Sequence, residues 1–183
     1  LKPDDTACFA GRGSSLRFLG RRREAEEDFR RAAELCPERA GHPLRLASLL
    51  EECGRPAEVV EHSSRAIALC PGEVGAYLLR GSTLCNLRRR AEALVDLTRA
   101  VCLDPGRPRS YFNRGVVRSK PGDEAGAFAD YSRAIALEPG LRDAALDPGM
   151  RLMRRGDSRG AWSPELADNF GERGRARRDS GDL

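Results

Sequence analysis

The chain has 183 residues, 32 basic against 28 acidic for a formal net charge of +4, and is 40% hydrophobic but only 5% aromatic. That length suits one sizeable core or a short repeat array, and long segments rich in alanine, leucine, arginine and glutamate favour helices over sheets. The two signs of charge are interleaved, as on a solvated surface, and no run approaches the ~20 apolar residues that cross a membrane, so no membrane partner is expected.

In chain order, Leu1-Lys2-Pro3 reads as the end of a preceding repeat. Pro3 opens a series continued at Pro37, Pro71, Pro105 and Pro139, each 34 residues after the last. A leucine lies two residues before each proline, and Ala32, Ala66, Ala100 and Ala134 lie five before, each directly after an arginine (Arg31, Arg65, Arg99, Arg133). Ten residues after each proline comes a small residue (Gly13, Ala47, Gly81, Gly115, Gly149), and seventeen after comes Gly20, Gly54, Gly122 or Gly156, with Arg88 the exception. Twenty-two after come Ala25, Val59, Ala93, Ala127 and Ala161. The units are therefore 4–37, 38–71, 72–105 and 106–139, with a partial fifth over 140–161.

Each unit predicts two helices. The central glycine, free to adopt φ > 0, ends the first, and the proline ends the second. Small residues such as Gly81 and Ala93, or Gly115 and Ala127, let the pair approach closely, while Phe9, Tyr77 and Tyr111 early and Phe29, Leu97 and Tyr131 late fill the remaining space. One hairpin cannot bury its own apolar face, so the units must stack.

Toward the C-terminus, Asp147-Pro148 breaks the preceding segment, and Asp147 is placed to cap a helix that starts late. After Ala161 the frame is lost at Trp162-Ser163-Pro164. Residues 162–183 read either as an irregular, charged, glycine-rich tail or as the start of a further degenerate repeat, since Phe170 to Gly174 echoes Tyr111 to Gly115. The expected parent is a longer array of which this chain is an excerpt.

Chemistry is hard to place on these residues. No G-x-S-x-G, phosphate loop or H-E-x-x-H occurs, and neither His42 nor His62 has a recognisable nucleophile partner, Cys53 included. The chain is expected not to be an enzyme. The six cysteines form no C-x-x-C pair, so no metal or other cofactor is expected. Cys36 and Cys70 fall at equivalent places one unit apart, too far for a disulfide, and buried free thiols in a reducing, cytoplasmic compartment are expected. The carboxylates Glu24, Glu26, Glu27 and Asp28 alternate with arginines, as on a solvated helix face.

The run Tyr111, Gly115, Gly122, Ala127, Tyr131, Ala134, Pro139 resembles the tetratricopeptide repeat, and the likeness spans residues 4 to 161. It implies an all-α, right-handed superhelical solenoid of antiparallel helix hairpins whose concave face takes a protein partner on the first helix of each unit. Carried onto this sequence, that stripe is Ala10, Ser14, Arg17; Leu44, Ser48, Glu51; Leu78, Ser82, Cys85; Phe112, Val116, Ser119; and Leu146, Met150, Met153, each set sharing one helical face. Its apolar and small character implies an apolar extended peptide or helix as ligand, and a scaffold or adaptor role, also within a larger assembly. Of the dicarboxylate clamp of chaperone-binding relatives only Asn113 matches, with Leu78, Ser82, Asp143 and Asp147 at the other places of that register. Two alternatives stay open. One is nucleic-acid binding, motivated by 30 arginines among the 32 basic residues, against which aromatics for base stacking are scarce. The other is the targeting segment of a larger enzyme.

Overall fold

A computed structural model describes residues 3–119 and 123–141 of the chain. Glycine and proline punctuate it into α1 (Pro3–Phe18), α2 (Arg22–Leu35), α3 (Gly41–Glu52), α4 (Pro56–Leu69), α5 (Val74–Asn86), α6 (Arg90–Leu103), α7 (Pro108–Arg118) and α8 (Glu124–Leu137), then a 3-10 turn at Pro139–Leu141. No strand occurs among the described residues. Each helix packs on its neighbours in the chain, most closely within the pairs α1–α2, α3–α4, α5–α6 and α7–α8, and the first helices also touch across units at α3–α5 and α5–α7. The molecule is an all-α solenoid of stacked helix hairpins. Gly122 and the expected partial unit over 140–161 fall, from residue 142 on for the latter, outside the described residues, as do Asp147, Trp162 and residues 162–183.

Both kinds of turn repeat because the same residues recur. Gly20 and Gly54 have φ of 77° and 69°, and Arg88, without glycine's freedom, adopts φ of 64° at the equivalent place. At all three, two crossed backbone bonds close the first helix: Arg21 N–H to Leu16 O with Gly20 N–H to Arg17 O, and likewise Arg55 to Leu50 with Gly54 to Glu51, and Arg89 to Leu84 with Arg88 to Cys85. At the end of the second helix, proline takes the second place of a β-turn closed by Arg39 N–H to Cys36 O, Glu73 to Cys70, Arg107 to Asp104 and Leu141 to Glu138.

Within each hairpin the close approach has a size rule. A methyl group on Gly13 would lie 2.8 Å from the ring of Phe29, on Gly81 2.8 Å from Leu97 Cγ, and on Gly115 2.9 Å from the ring of Tyr131. In the second unit alanine replaces the glycine, and the facing place holds Ser63; Ala47 and Ser63 are both fully buried. Large faces glycine, and small faces alanine.

One position before each of these pairs lies a second pairing. Arg12 binds Asp28 (2.6 and 2.7 Å), Arg80 binds Asp96 (both 2.7 Å) and Arg114 binds Asp130 (2.7 and 2.9 Å), each through two parallel hydrogen bonds between the helices of one hairpin. The three carboxylates are buried. This corrects the expectation that Asp28 belongs to a solvated face: it points inward to Arg12, and Glu26 is half-buried between Arg30 and Arg55. In the second unit the same two places hold Leu46, in the core, and His62, half-buried.

The cysteines correct a further expectation. None is fully buried: Cys8, Cys53, Cys70 and Cys102 are exposed, Cys36 and Cys85 half-buried, and all six are free. Cys36, Cys53 and Cys70 follow directly on α2, α3 and α4, where the chain turns away from the core.

Candidate functional site

The first helices α1, α3, α5 and α7 carry the residues expected to face a partner. Ala10, Ser14 and Arg17 on α1, Leu44 and Ser48 on α3, Ser82 and Cys85 on α5, and Phe112, Asn113 and Val116 on α7 are half-exposed, as is Ser119 just beyond α7, while Glu51 is exposed. Leu78 is only 8% exposed and joins the α5–α6 core with Tyr77 and Leu84, so a ligand could meet it only as a floor. Phe112 tilts against Tyr131 at 5.7 Å between ring centres and, with Val116, leans on the core of the last hairpin. Leu146, Met150 and Met153 lie outside the described residues.

The serines have a local cause for being there. Ser14 donates to Ala10 O at 2.9 Å, Ser48 to Leu44 O at 3.0 Å, Ser82 to Leu79 O at 3.0 Å and Ser119 to Val116 O at 2.9 Å. Each hydroxyl proton is spent on the preceding turn of its own helix, so these places present small side chains with no donor left for a ligand. The charge at Arg17 is spent too. Its guanidinium reaches across to Glu52 on α3, with Nε at 2.7 Å, beside a pocket of about 340 Å³ lined by Ser14, Arg17, Phe18 and Glu52. Phe18 on that rim is 92% exposed.

At the other end of the α1–α3 junction, sequence reasoning assigned a role to Ala10 and Ser14 of the stripe but none to Arg39, His42 or Arg45. There a cleft of about 310 Å³ is lined by Ala7, Ala10, Gly11 and Ser14 of α1 and by Arg39, Gly41, His42 and Arg45 at the start of α3. His42 is 3% exposed, and neither ring nitrogen has a hydrogen-bond partner among the described residues. Burial first, then the charges of Arg39 and Arg45, hold its imidazole below the ordinary 6.5, while Glu38 pulls weakly the other way. The legible signal was a histidine set three residues from an arginine on each side.

That histidine gives the fold a pH dependence of fixed sign. A pKa depressed in the folded state means the unfolded chain binds the proton more readily, so the contribution of neutral His42 is complete above about 6.5 and is lost as pH falls through the folded value. His62, lowered chiefly by burial, acts in the same direction. Glu26, Glu58 and Glu92, all shifted below 4.5, titrate in a lower window. Thermal melts between pH 7.5 and 5.5 are expected to show a melting temperature that falls on acidification, and His42→Leu to shrink that fall.

Among the described residues, no group of three His, Cys, Asp or Glu side chains could hold a metal ion, and no helix is long and apolar enough to cross a membrane. The sequence model of the tetratricopeptide repeat matches residues 8–39, which run from α1 through the Pro37 turn. Over that stretch the chain is similar to the tetratricopeptide repeat. Solved structures share the array's fold at low identity. MamA 41-end from Desulfovibrio magneticus RS-1 is 17% identical, covers 100% of both chains and superposes with a TM-score of 0.80. YrrB, described as a TPR protein with an unusual peptide-binding site, is 22% identical over 78% of this chain and 73% of its own, with a TM-score of 0.68. The first TPR of Spaghetti, solved with the HSP90 peptide SRMEEVD, is 20% identical over 64% of this chain and 93% of its own, with a TM-score of 0.62. No curated protein matches the sequence significantly.

Proposed function

We propose that the chain is a non-catalytic interaction scaffold that holds an apolar extended segment or helix of a partner protein along the face of its first helices. The observation that carries this reading is the stripe itself. Half-exposed Leu44, Cys85, Phe112 and Val116 alternate with serines whose donors are already used, on successive helices of one array. Such a face offers area and few hydrogen bonds, which favours apolar ligands over polar ones. The two tetratricopeptide neighbours described with peptides make a peptide ligand a natural class for this face.

A second reading rests on Arg65, Arg99 and Arg133. They recur at one repeat place, are exposed, and make no ion pair among the described residues, which suits a phosphate backbone. The exposed large hydrophobic side chains include one aromatic, Phe18, too few to stack bases along that row.

The test is affinity capture from a native lysate with the intact chain beside Leu44→Ser/Val116→Ser. Both residues are half-exposed, so the variant is expected to keep its helicity and to lose retention of the specific partner by roughly tenfold or more. Leu78 is left in place because its burial makes it a stability residue. Equal retention by both proteins would move the binding face to the second helices, and recovery of salt-sensitive nucleic acid would favour the second reading.

A further inference from the structure

The turns that join the first helix of each unit to its second lie along one edge of the array, and two of them carry side chains that neither the groove nor the helix pairs use. Leu19-Gly20-Arg21-Arg22-Arg23 in the first unit and Leu87-Arg88-Arg89-Arg90 in the third both set a leucine before a run of arginines, and Leu19 and Leu87 hold the same repeat place. Phe18, the last residue of α1, adds an aromatic ring directly before Leu19. Phe18 is 92% exposed, Leu19 67% and Leu87 38%, so three of the five large hydrophobic side chains exposed among the described residues sit on these two turns. Single exposed apolar residues are common on protein surfaces. Here two are adjacent, and the bonds from Arg21 N–H to Leu16 O and from Gly20 N–H to Arg17 O fix the backbone that presents them, so within this chain their area stays turned to solvent.

The charges of the same edge do not cancel. Glu24, Glu58 and Glu92 are each bound by the arginine three residues before, Arg21, Arg55 and Arg89, and Glu52 is bound by Arg17. The side chains of Arg22, Arg23 and Arg88 are exposed and form no ion pair or hydrogen bond among the described residues. Against these three free guanidinium groups stands one carboxylate without such a partner, Glu51 near the end of α3. The turn between the two, Cys53-Gly54-Arg55-Pro56, has no exposed large apolar side chain, and its arginine is held by Glu26 and Glu58. The edge is therefore apolar at two tips and positive beside each of them.

We infer that this edge is a docking surface for an anionic lipid bilayer, with Phe18, Leu19 and Leu87 entering the headgroup region and Arg22, Arg23 and Arg88 meeting the negative charge of the headgroups. Apolar side chains flanked by basic ones bind such an interface through two terms at once, buried area and attraction to anionic lipid. A protein partner needs a separate pocket for each of two tips that stand two units apart. A bilayer offers one continuous apolar layer under one continuous sheet of negative charge and takes both tips together. Among the described residues no helix is long and apolar enough to cross a membrane, so the contact lies on the surface. Hydropathy, read for spanning runs, does not register it, and the expectation of no membrane partner is here replaced. The tips stand at the ends of the first helices and the groove runs along their faces, which makes the inference independent of the groove reading.

The full chain is tested by co-sedimentation with vesicles of phosphatidylcholine alone and of phosphatidylcholine with roughly one third phosphatidylserine. Binding is expected to the anionic vesicles, roughly tenfold or more weaker to the neutral ones, and to fall as salt is raised from about 0.1 M to about 0.5 M, since exposed charges are screened. Phe18→Ser/Leu19→Ser and Arg22→Gln/Arg23→Gln/Arg88→Gln change only exposed side chains, so both variants are expected to keep the parent's circular dichroism and each to lose roughly tenfold or more in affinity. Leu44→Ser/Val116→Ser is expected to bind the vesicles as the parent does. The surface is overturned by an absence of binding to the anionic vesicles, by equal binding to both kinds, or by either edge variant binding as well as the parent. A loss confined to Leu44→Ser/Val116→Ser or to Arg65→Gln/Arg99→Gln/Arg133→Gln would overturn it as well, by moving the contact to the groove or to the second helices. An acidic protein retained from a lysate by the parent and released by Phe18→Ser/Leu19→Ser, with no vesicle binding, would assign the edge to a protein partner instead.

Discussion

Asp96→Ala is expected to destabilise the array by about 3 kcal/mol, far more than a surface charge change would. The carboxylate is 3% exposed and accepts two hydrogen bonds from Arg80, whose remaining nitrogen donates to Ser64 on α4 at 2.9 Å. Removing the acid leaves a guanidinium held between two hairpins with most of its water excluded and its anion gone. Arg80 retains 23% side-chain exposure, which allows some resolvation and places the loss toward the low end for a broken buried pair. The second unit suggests the control. Its equivalent places hold Leu46 and His62, so Arg80→Leu/Asp96→His transplants a pairing the chain already uses, and the double variant is expected to recover most of the loss. Urea unfolding followed by circular dichroism reads both. A double variant as unstable as Asp96→Ala would show that the pair does more than satisfy itself.

Phe29→Ala is expected to cost about 3–5 kcal/mol, the range for truncating a buried aromatic side chain. Phe29 is 1% exposed and its ring closes directly over Gly13, so the vacated volume lies between two helices that cannot collapse independently of the turn at Gly20. Gly13→Ala alone would put a methyl 2.8 Å from that ring. The overpacking, about 1–3 kcal/mol, exceeds the ~1 kcal/mol of helix propensity that alanine adds. In Gly13→Ala/Phe29→Ala the new methyl enters the space the ring has left. The two changes are therefore expected to be non-additive by about 1 kcal/mol or more in the stabilising direction. Strict additivity in thermal or urea unfolding would mean that glycine at this place answers to something other than the facing side chain.

The hairpin architecture was legible because punctuation is a local matter. Proline after each second helix and glycine after each first set where helices stop, and five recurring columns fixed the period before any packing was known. The same reasoning was blind to pairings across sixteen residues, because Arg12 with Asp28 and Arg80 with Asp96 look like ordinary helix-surface charges until the hairpin closes. Their recurrence at one repeat place was the available signal, muted by the second unit, where Leu46 and His62 break it. Arg88 looked like a lapse in the glycine column, yet its backbone adopts the left-handed conformation its neighbours in the series adopt. The thiols were expected inside on the strength of cysteine's usual burial, but turns carry Cys36, Cys53 and Cys70 away from the core, and Cys8, Cys85 and Cys102 lie on helix faces that are not fully buried. For the groove, spacing gave helical faces but not depth. Leu44 and Leu78 stand at equivalent places, and only packing against Tyr77 and Leu84 sinks the second toward the core. The cleft at His42 was hidden for a related reason, since its walls come from two units.

Among the described residues each helix packs chiefly on its neighbours in the chain and on the next first helix, so the array is held together junction by junction. A slight change of tilt at one junction is therefore not resisted elsewhere, and equal small changes at successive junctions add. Mechanically the molecule is a soft coil spring: its compliance grows with the number of junctions while each hairpin stays stiff, and load on one end spreads as a shallow winding or unwinding rather than as rupture of any single helix pair.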